Sequence, residues 1–171
     1  MKYFILLLLG AAMSFPMNLT AQEYYFLALE DCQYDNPANW YPVYPGEYVQ
    51  PGTKVVIQED ASLGSIELEV DGELIISPGS MLSAHKGSIQ VNPNARLTNH
   101  GMLMAKTLHN QGAMHNGQHS YMLLVAYYGY KNAIMDQPSQ ARCIVLAEAL
   151  GLDCRMMTRF LNASSLMAMA E

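Results

Sequence analysis

The sequence predicts a mainly β protein, a short parallel β-solenoid followed by a small C-terminal helical appendage. Three observations favour this fold class: an internal repeat, a strict alternation of apolar and acidic residues, and strand-length segments stopped by Gly, Pro or Asn. Strands this short cannot bury their apolar side alone, whereas stacked coils give them a continuous core. An antiparallel β-sandwich or roll explains the alternation equally well but the repeat less well.

The repeat relates residues 72–82 to residues 87–97, which align without gaps fifteen residues apart. Strand-like triplets recur every seven or eight residues, so three of them predict a coil of about 22–23 residues. Gly, Pro and Leu are identical at matching places, and apolar residues coincide at Leu74/Ile89 and Ile76/Val91.

The alternation is clearest at residues 66–71, where Ile, Leu and Val alternate with acids, the period-2 pattern of a half-buried strand. The acids would form an outward stripe of carboxylates. Carboxylate oxygens are ligands for Ca²⁺, so Glu67, Glu69 and Asp71 are the candidate metal ligands. Because the sequence has no dedicated calcium loop, a solvated face is the favoured alternative.

The first 21 of the 171 residues have the pattern of a secretory signal peptide. Lys2 supplies the positive region, residues 4–9 the apolar region, and Leu19-Thr20-Ala21 the cleavage site. That apolar run is shorter than the roughly 20 residues that span a bilayer. We therefore expect a chain that is secreted or held at the cell surface or periplasm of a bacterium, with no transmembrane helix after cleavage.

Charge is unevenly distributed along the chain, whose net charge is −6. Residues 22–73 hold eleven acids and one base, whereas residues 74–171 hold four acids and seven bases. An acidic protein is repelled by phosphate backbones, so the composition argues against nucleic acid as a partner.

Residues 22–52 are rich in aromatic residues and proline, which argues against helix. We expect an edge strand near residues 24–29, followed by an irregular lead-in. Trp40, Tyr41 and Tyr44 are the candidate ligand-binding residues, because sugar rings pack their apolar faces on aromatic side chains. The alternative is that these rings plug the N-terminal end of the solenoid, which is the favoured interpretation for Trp40.

Residues 36–117 resemble a known kind of extracellular domain. Asn36-Pro-Ala-Asn-Trp40 is followed by Pro45-Gly46, by Pro51-Gly-Thr-Lys-Val-Val-Ile57, and then by strand triplets that each end in Gly. This order resembles the start of right-handed β-helix regions of secreted bacterial surface proteins, and is similar to the extracellular domain named for its eight glycines. The resemblance implies a right-handed solenoid at residues 53–117 and an exported surface protein.

Residues 118–171 lose the repeat. Residues 121–128 predict a buried strand, and a helix is predicted from Asp136, with Cys143, Leu146, Ala147 and Leu150 on one face. A second helix is predicted from Asp153, and the pair would cover the open end of the solenoid. In such a helical hairpin a Cys143–Cys154 disulfide is disfavoured, because the two residues lie at different heights. Together with Cys32 the cysteines are odd in number, so at least one thiol is left over.

Four of the five histidines lie within residues 100–119, close to Asn-Gly turn signals. Clustered imidazoles bind transition metals, but turn positions on successive coils are expected to face solvent. Asn99, Asn110 and Asn116 recur near the same turns, and we expect their amides to stack along the solenoid axis.

No catalytic motif is present in the sequence. The expected function is therefore that of an exported non-enzymatic surface or extracellular β-solenoid protein with a structural, adhesive or glycan-contact role. Its expected partners are surface glycans or other cell-envelope proteins, with no cofactor other than the Ca²⁺ considered above. The alternative is a polysaccharide-active β-helix enzyme or a fragment of one, and a third alternative is that residues 118–171 are not native to the fold.

Overall fold

A computed structural model describes residues 21–131, 133–138 and 142–145. Within these ranges the chain is almost entirely β, and no helix is long and apolar enough to cross a membrane. One short 3₁₀ helix, Pro37–Asn39, lies before the second strand. The strands are β1 Gln22–Phe26, β2 Trp40–Tyr41, β3 Tyr48–Val49, β4 Thr53–Ile57, β5 Ala61–Ser62, β6 Glu67–Val70, β7 Glu73–Ile76, β8 Met81–Val91, β9 Arg96–Asn99, β10 Met102–Asn110, β11 Ala113–Asn116, β12 Tyr121–Gly129, β13 Ile134–Asp136 and β14 Arg142–Val145.

The strands stack in three rows, one strand segment of each row per coil. Row A contains β2, β1, β4, β7, β9, β11 and β13 in that spatial order. Row B contains β5, the first parts of β8, β10 and β12, and β14. Row C contains β3, β6 and the second parts of β8, β10 and β12.

The pairing confirms a parallel β-solenoid and excludes the antiparallel sandwich, since every strand pair except β1–β2 is parallel. Four coil steps separate β4 from β13. Stacked partners in row A follow the order Lys54, Glu73, Arg96, Ala113 and Ile134, which are 19, 23, 17 and 21 residues apart. The predicted coil length of 22–23 residues therefore lies at the upper end of the observed range.

The fifteen-residue repeat does not mark the coil. Leu74 stacks on Leu97 in row A, whereas Ile89 stacks on Leu68 and Leu108 in row C. The two copies thus belong to different rows, and what they share is a corner. A Cβ on Gly72 would overlap carbonyl oxygens of Gln50 and Thr53, and one on Gly87 would overlap that of Ile66. Glycine is therefore required at both corners by the close approach of the preceding coil.

The core runs along the solenoid axis and is built from inward positions of every row. In the alternating segment at residues 66–71, Leu68 and Val70 are fully buried while Glu67 and Glu69 are exposed, as predicted. The solenoid also extends on both sides of residues 53–117, from β1 to β14. The predicted edge strand near residues 24–29 is β1, and the predicted buried strand at residues 121–128 is β12.

Polar residues enter the core in the later coils. In row A, Ile76 is followed in register by Asn99 and Asn116, and all three are fully buried. Asn99 Nδ2 donates to Asn116 Oδ1 (2.7 Å) and to the carbonyl oxygen of Tyr121 (2.9 Å), so the predicted amide stacking is confirmed for this pair. Asn110 lies in row C, where its Oδ1 accepts from the backbone N–H of Gly112 (3.1 Å). It therefore does not belong to the same stack.

The first predicted C-terminal helix is wrong over its described residues. Asp136 lies in β13, and Cys143 lies in β14, where it stacks on Met122 and is buried. The rest of this helix and the helix from Asp153 lie outside the described residues, as does almost all of the predicted signal peptide. Of the cysteines, Cys32 is exposed and unbridged and Cys143 is buried and unbridged, while Cys154 lies outside the described residues.

Candidate functional site

Trp40 lies in an aromatic cluster that closes the N-terminal end of the core. Only 5% of its surface is exposed, and its ring makes edge contacts with Phe26 (centroids 5.2 Å apart) and Tyr34 (4.8 Å). Its indole N–H donates to the carbonyl oxygen of Tyr34 (2.6 Å), which satisfies the buried donor. A ring packed on all sides cannot stack on a sugar, so Trp40 fits the plugging interpretation rather than its predicted ligand-binding role.

Tyr44 lies at the rim of this cluster and is half-buried. Its ring centroid is 6.0 Å from that of Tyr34 and 5.9 Å from that of Trp40. Burial, and then the negative charges of Glu47 and Asp35, raise the pKa of Tyr44 to about 12. Tyr44 therefore combines cap packing with a polar edge that faces acidic groups.

Tyr41 points the other way and is 63% exposed. It pairs with Tyr25 across the antiparallel β2–β1 contact, and Tyr25 is followed in register by Val56 and Ile75. Their inward neighbours Val55, Leu74 and Ile57 are fully buried, so by strand alternation these four side chains face outward. We call Tyr41, Tyr25, Val56 and Ile75 the row A stripe, which crosses four strands and is about 14 Å long at the usual strand spacing.

A ladder of alternating charge borders the row A stripe. Glu23, Lys54, Glu73 and Arg96 are stacked in register on the same outward side of row A. Lys54 Nζ lies 3.0 Å from Glu23 Oε1, and the Tyr25 hydroxyl also donates to Glu23. The hydrogen bond from Tyr25, and then the interaction with Lys54, lower the pKa of Glu23, while Glu23 raises the pKa of Lys54. The stripe therefore has an apolar floor and a border of oriented polar groups.

The predicted calcium ligands lie on row C and its following corner. Glu69 Oε1 accepts from Asn92 Nδ2 (2.7 Å), and Asp71 accepts from the Tyr48 hydroxyl, a bond that raises the pKa of Tyr48. Within the part of the chain that the structure describes, no three His, Cys, Asp or Glu side chains come together as a metal site. This geometry gives no support to a calcium site at Glu67, Glu69 and Asp71.

The histidines are divided between rows. His115 on row A lies 6.0 Å from His100, measured between ring centroids, and its Nδ1 lies 2.9 Å from Asp136 Oδ2. His109 on row C instead stacks on Tyr128 with centroids 4.8 Å apart. Sequence clustering of these histidines therefore does not become one spatial cluster.

The row A stripe combines residues that the sequence analysis did not connect. Tyr41 was a candidate, whereas Tyr25, Val56 and Ile75 were hidden because their neighbours in space depend on the strand register. The only local signal was an apolar residue at an outward position in two successive strands, at Val56 and Ile75. An apolar floor with a few fixed polar groups is the usual composition of a ligand-binding surface.

Comparison with known proteins adds no name to this surface. No protein-family model, no curated protein and no solved structure matches the chain.

Proposed function

We propose that this chain is an exported, non-enzymatic surface protein whose solenoid presents the row A stripe to glycans of the cell envelope. The observation that carries the proposal is the exposed Tyr41 ring beside Tyr25, above an apolar floor and next to the charge ladder. Sugar rings have apolar faces that pack on aromatic rings and hydroxyl groups that hydrogen-bond to polar borders. The stripe offers both kinds of contact on one side of the molecule.

The sequence of residues 1–21 supports export, because it has the charged, apolar and cleavage regions of a signal peptide. The proposal also keeps the right-handed winding expected from the resemblance, which is the hand that parallel strand crossovers prefer. Parallel strands hydrogen-bonded along the whole solenoid make a stiff support, which suits a structural or adhesive role.

The proposal is tested by binding of the purified chain 22–171 to immobilised neutral and acidic glycans. Truncation in Tyr41→Ala removes the exposed ring, and we expect about a tenfold loss of affinity, the upper range for one aromatic contact. Tyr130→Ala is the matched control, because Tyr130 is also half exposed but lies at the other end of the solenoid. Equal binding by the two variants would argue against the row A stripe.

The same assay separates the proposal from its enzymatic alternative. Binding without new reducing ends or unsaturated products supports glycan contact. Release of such products by the unmodified chain would establish a polysaccharide-active enzyme instead.

A further inference from the structure

The two ends of the solenoid carry opposite charge. Because the coils stack in chain order, the charge distribution of the sequence becomes a distribution along the axis. Residues 22–73, at the N-terminal end, hold eleven acids and one base. Residues 74–138 hold a single acid, Asp136, against four bases and five histidines. The bases are Lys86, Arg96, Lys106 and Lys131.

Large exposed apolar side chains are also confined to the two ends. Single exposed apolar residues are ordinary on a protein surface, but here, among the described residues, none lies between Tyr48 and Tyr121. The N-terminal group is Leu29, Tyr41, Val43 and Tyr48, and the C-terminal group is Tyr121, Val125, Tyr130 and Ile134. The middle coils are thus suited to solvent, whereas both ends have surfaces typical of contacts.

The two groups surround the outermost strands. Val43 follows β2, the first strand of row A in space, and Ile134 lies in β13, the last described strand of that row. The outermost strand of a sheet carries backbone groups that can pair with another chain. Apolar surface, opposite charge and sheet edges therefore coincide at the ends of one molecule.

We propose that the acidic end of one copy of this chain binds the basic end of a second copy, head to tail. Opposite charges set the orientation, since joining two like ends would place charges of the same sign together. The two surfaces are different, so the contact is heterologous and leaves a free end on each outer copy. The result is an open row of solenoids, and it does not depend on glycan binding by the row A stripe.

The test uses sedimentation velocity of the chain 22–171 over a concentration series at low and high NaCl. We expect species larger than a dimer at low salt and dissociation at high salt, because the Debye length falls from about 10 Å at 0.1 M to about 3 Å at 1 M. A monomer at every concentration, or association that salt leaves unchanged, would overturn the proposal.

Two double variants test the head-to-tail geometry. Leu29→Lys with Val43→Lys places positive charge on the acidic end, and Val125→Glu with Ile134→Glu places negative charge on the basic end. All four side chains are exposed, so the fold should persist, which circular dichroism checks. Each variant alone should be monomeric, whereas a mixture should form a one-to-one complex, because each variant keeps one intact end.

A closed dimer that either variant abolishes and that mixing does not restore would contradict a heterologous contact. Ser88→Glu, on an outward position of a middle coil, is the matched control and should associate like the unmodified chain. Association lost in this control would show that net charge, rather than the ends, decides the result.

Discussion

The first and last coils of this solenoid share one architecture but fill their interiors differently. At the N-terminal end the core is apolar and closed by Trp40 and Tyr34, whereas the row A line changes from Ile76 to Asn99 and Asn116 in later coils. An apolar side chain packs against any apolar neighbour above or below it. A buried amide needs a polar partner, and a stacked amide provides one. In-register stacking therefore admits polar residues to the core when they come in successive coils.

The largest effect is expected at the aromatic cap. Trp40→Ala leaves a cavity among Phe26 and Tyr34 and removes a buried hydrogen bond, so the free energy of unfolding should fall by about 3–5 kcal/mol. Tyr41→Ala, one residue further along, removes a largely exposed ring and should change it by less than about 1 kcal/mol. Urea unfolding of both variants measures the difference, and equal losses would show that Trp40 does not close the core.

The amide pair should give the next largest effect. Asn99→Leu leaves Asn116 and the N–H of Gly101 without their partner, which should cost about 1–3 kcal/mol of unfolding free energy. Asn116→Leu should have a similar cost, but the double variant should cost less than the two together, because both polar partners are then replaced. Urea unfolding of the complete double-mutant cycle measures this coupling, and simple additivity would contradict a bonded pair.

Ile76→Asn extends this comparison to the preceding coil, since Ile76 occupies the same register position below Asn99. If a polar neighbour is what makes a buried amide tolerable, this change should cost less than Leu74→Asn, whose stacked partners Val55 and Leu97 are apolar. Thermal unfolding of the two variants provides the ranking, and the reverse order would separate tolerance from stacking.

Acid should weaken the N-terminal end selectively. Hydrogen bonds from Tyr25 and Lys54 lower the pKa of Glu23, and the backbone N–H of Gln33 followed by the amide of Asn39 lowers that of Asp31. A carboxyl whose pKa is lower in the folded state stabilises it above the unfolded values of about 4.3 and 3.9, and this stability is lost as pH falls through the folded pKa. Thermal unfolding below pH 5 should show a shallower decline in Glu23→Gln with Asp31→Asn than in the unmodified chain.

The smallest effect concerns the thiols and leaves stability at neutral pH unchanged. Burial raises the pKa of Cys143 to about 11, whereas Cys32 is exposed. Because the thiolate is the reacting form, Cys32 should react quickly with a disulfide reagent at pH 8 and Cys143 slowly. Cys154→Ser leaves only these two to be counted. Two equally fast thiols would mean that the β14 stack opens readily.

Stability should also respond to the titration of Cys143 at alkaline pH. Its folded pKa lies above the usual value of about 8.5, so the neutral thiol stabilises the fold below that pH and this contribution is lost as pH rises toward 11. The decline in melting temperature over that range should be smaller in Cys143→Ala, after allowance for its lower starting value. An identical decline in both proteins would assign the alkaline effect to other groups.

Local patterns predicted the kind of fold because each strand shows its own alternation, as Leu68 and Val70 do. The register could not be predicted in this way. The fifteen-residue match of Leu74 with Ile89 reflects two glycine corners, and stacking is set instead by coils of unequal length. The row A stripe was missed for this reason, since only the register places Tyr25 beside Val56 and Ile75.

The C-terminal error has a different cause. The residues from Cys143 onward have helical spacing, but β12 offers an edge on which Arg142–Val145 can pair, and Cys143 then extends a buried column over Met122. Tertiary pairing of this kind overrides local propensity, which short β segments express only weakly.

The unequal coils have a consequence for how such a protein can change. Steps of 17 to 23 residues all return the chain to the same axial column, so the bends between strands absorb the surplus without shifting what is stacked. Length can therefore be gained or lost at a bend while the interior keeps its alignment. The flanks of the molecule are free to be remodelled coil by coil, and the spine that carries them stays the same.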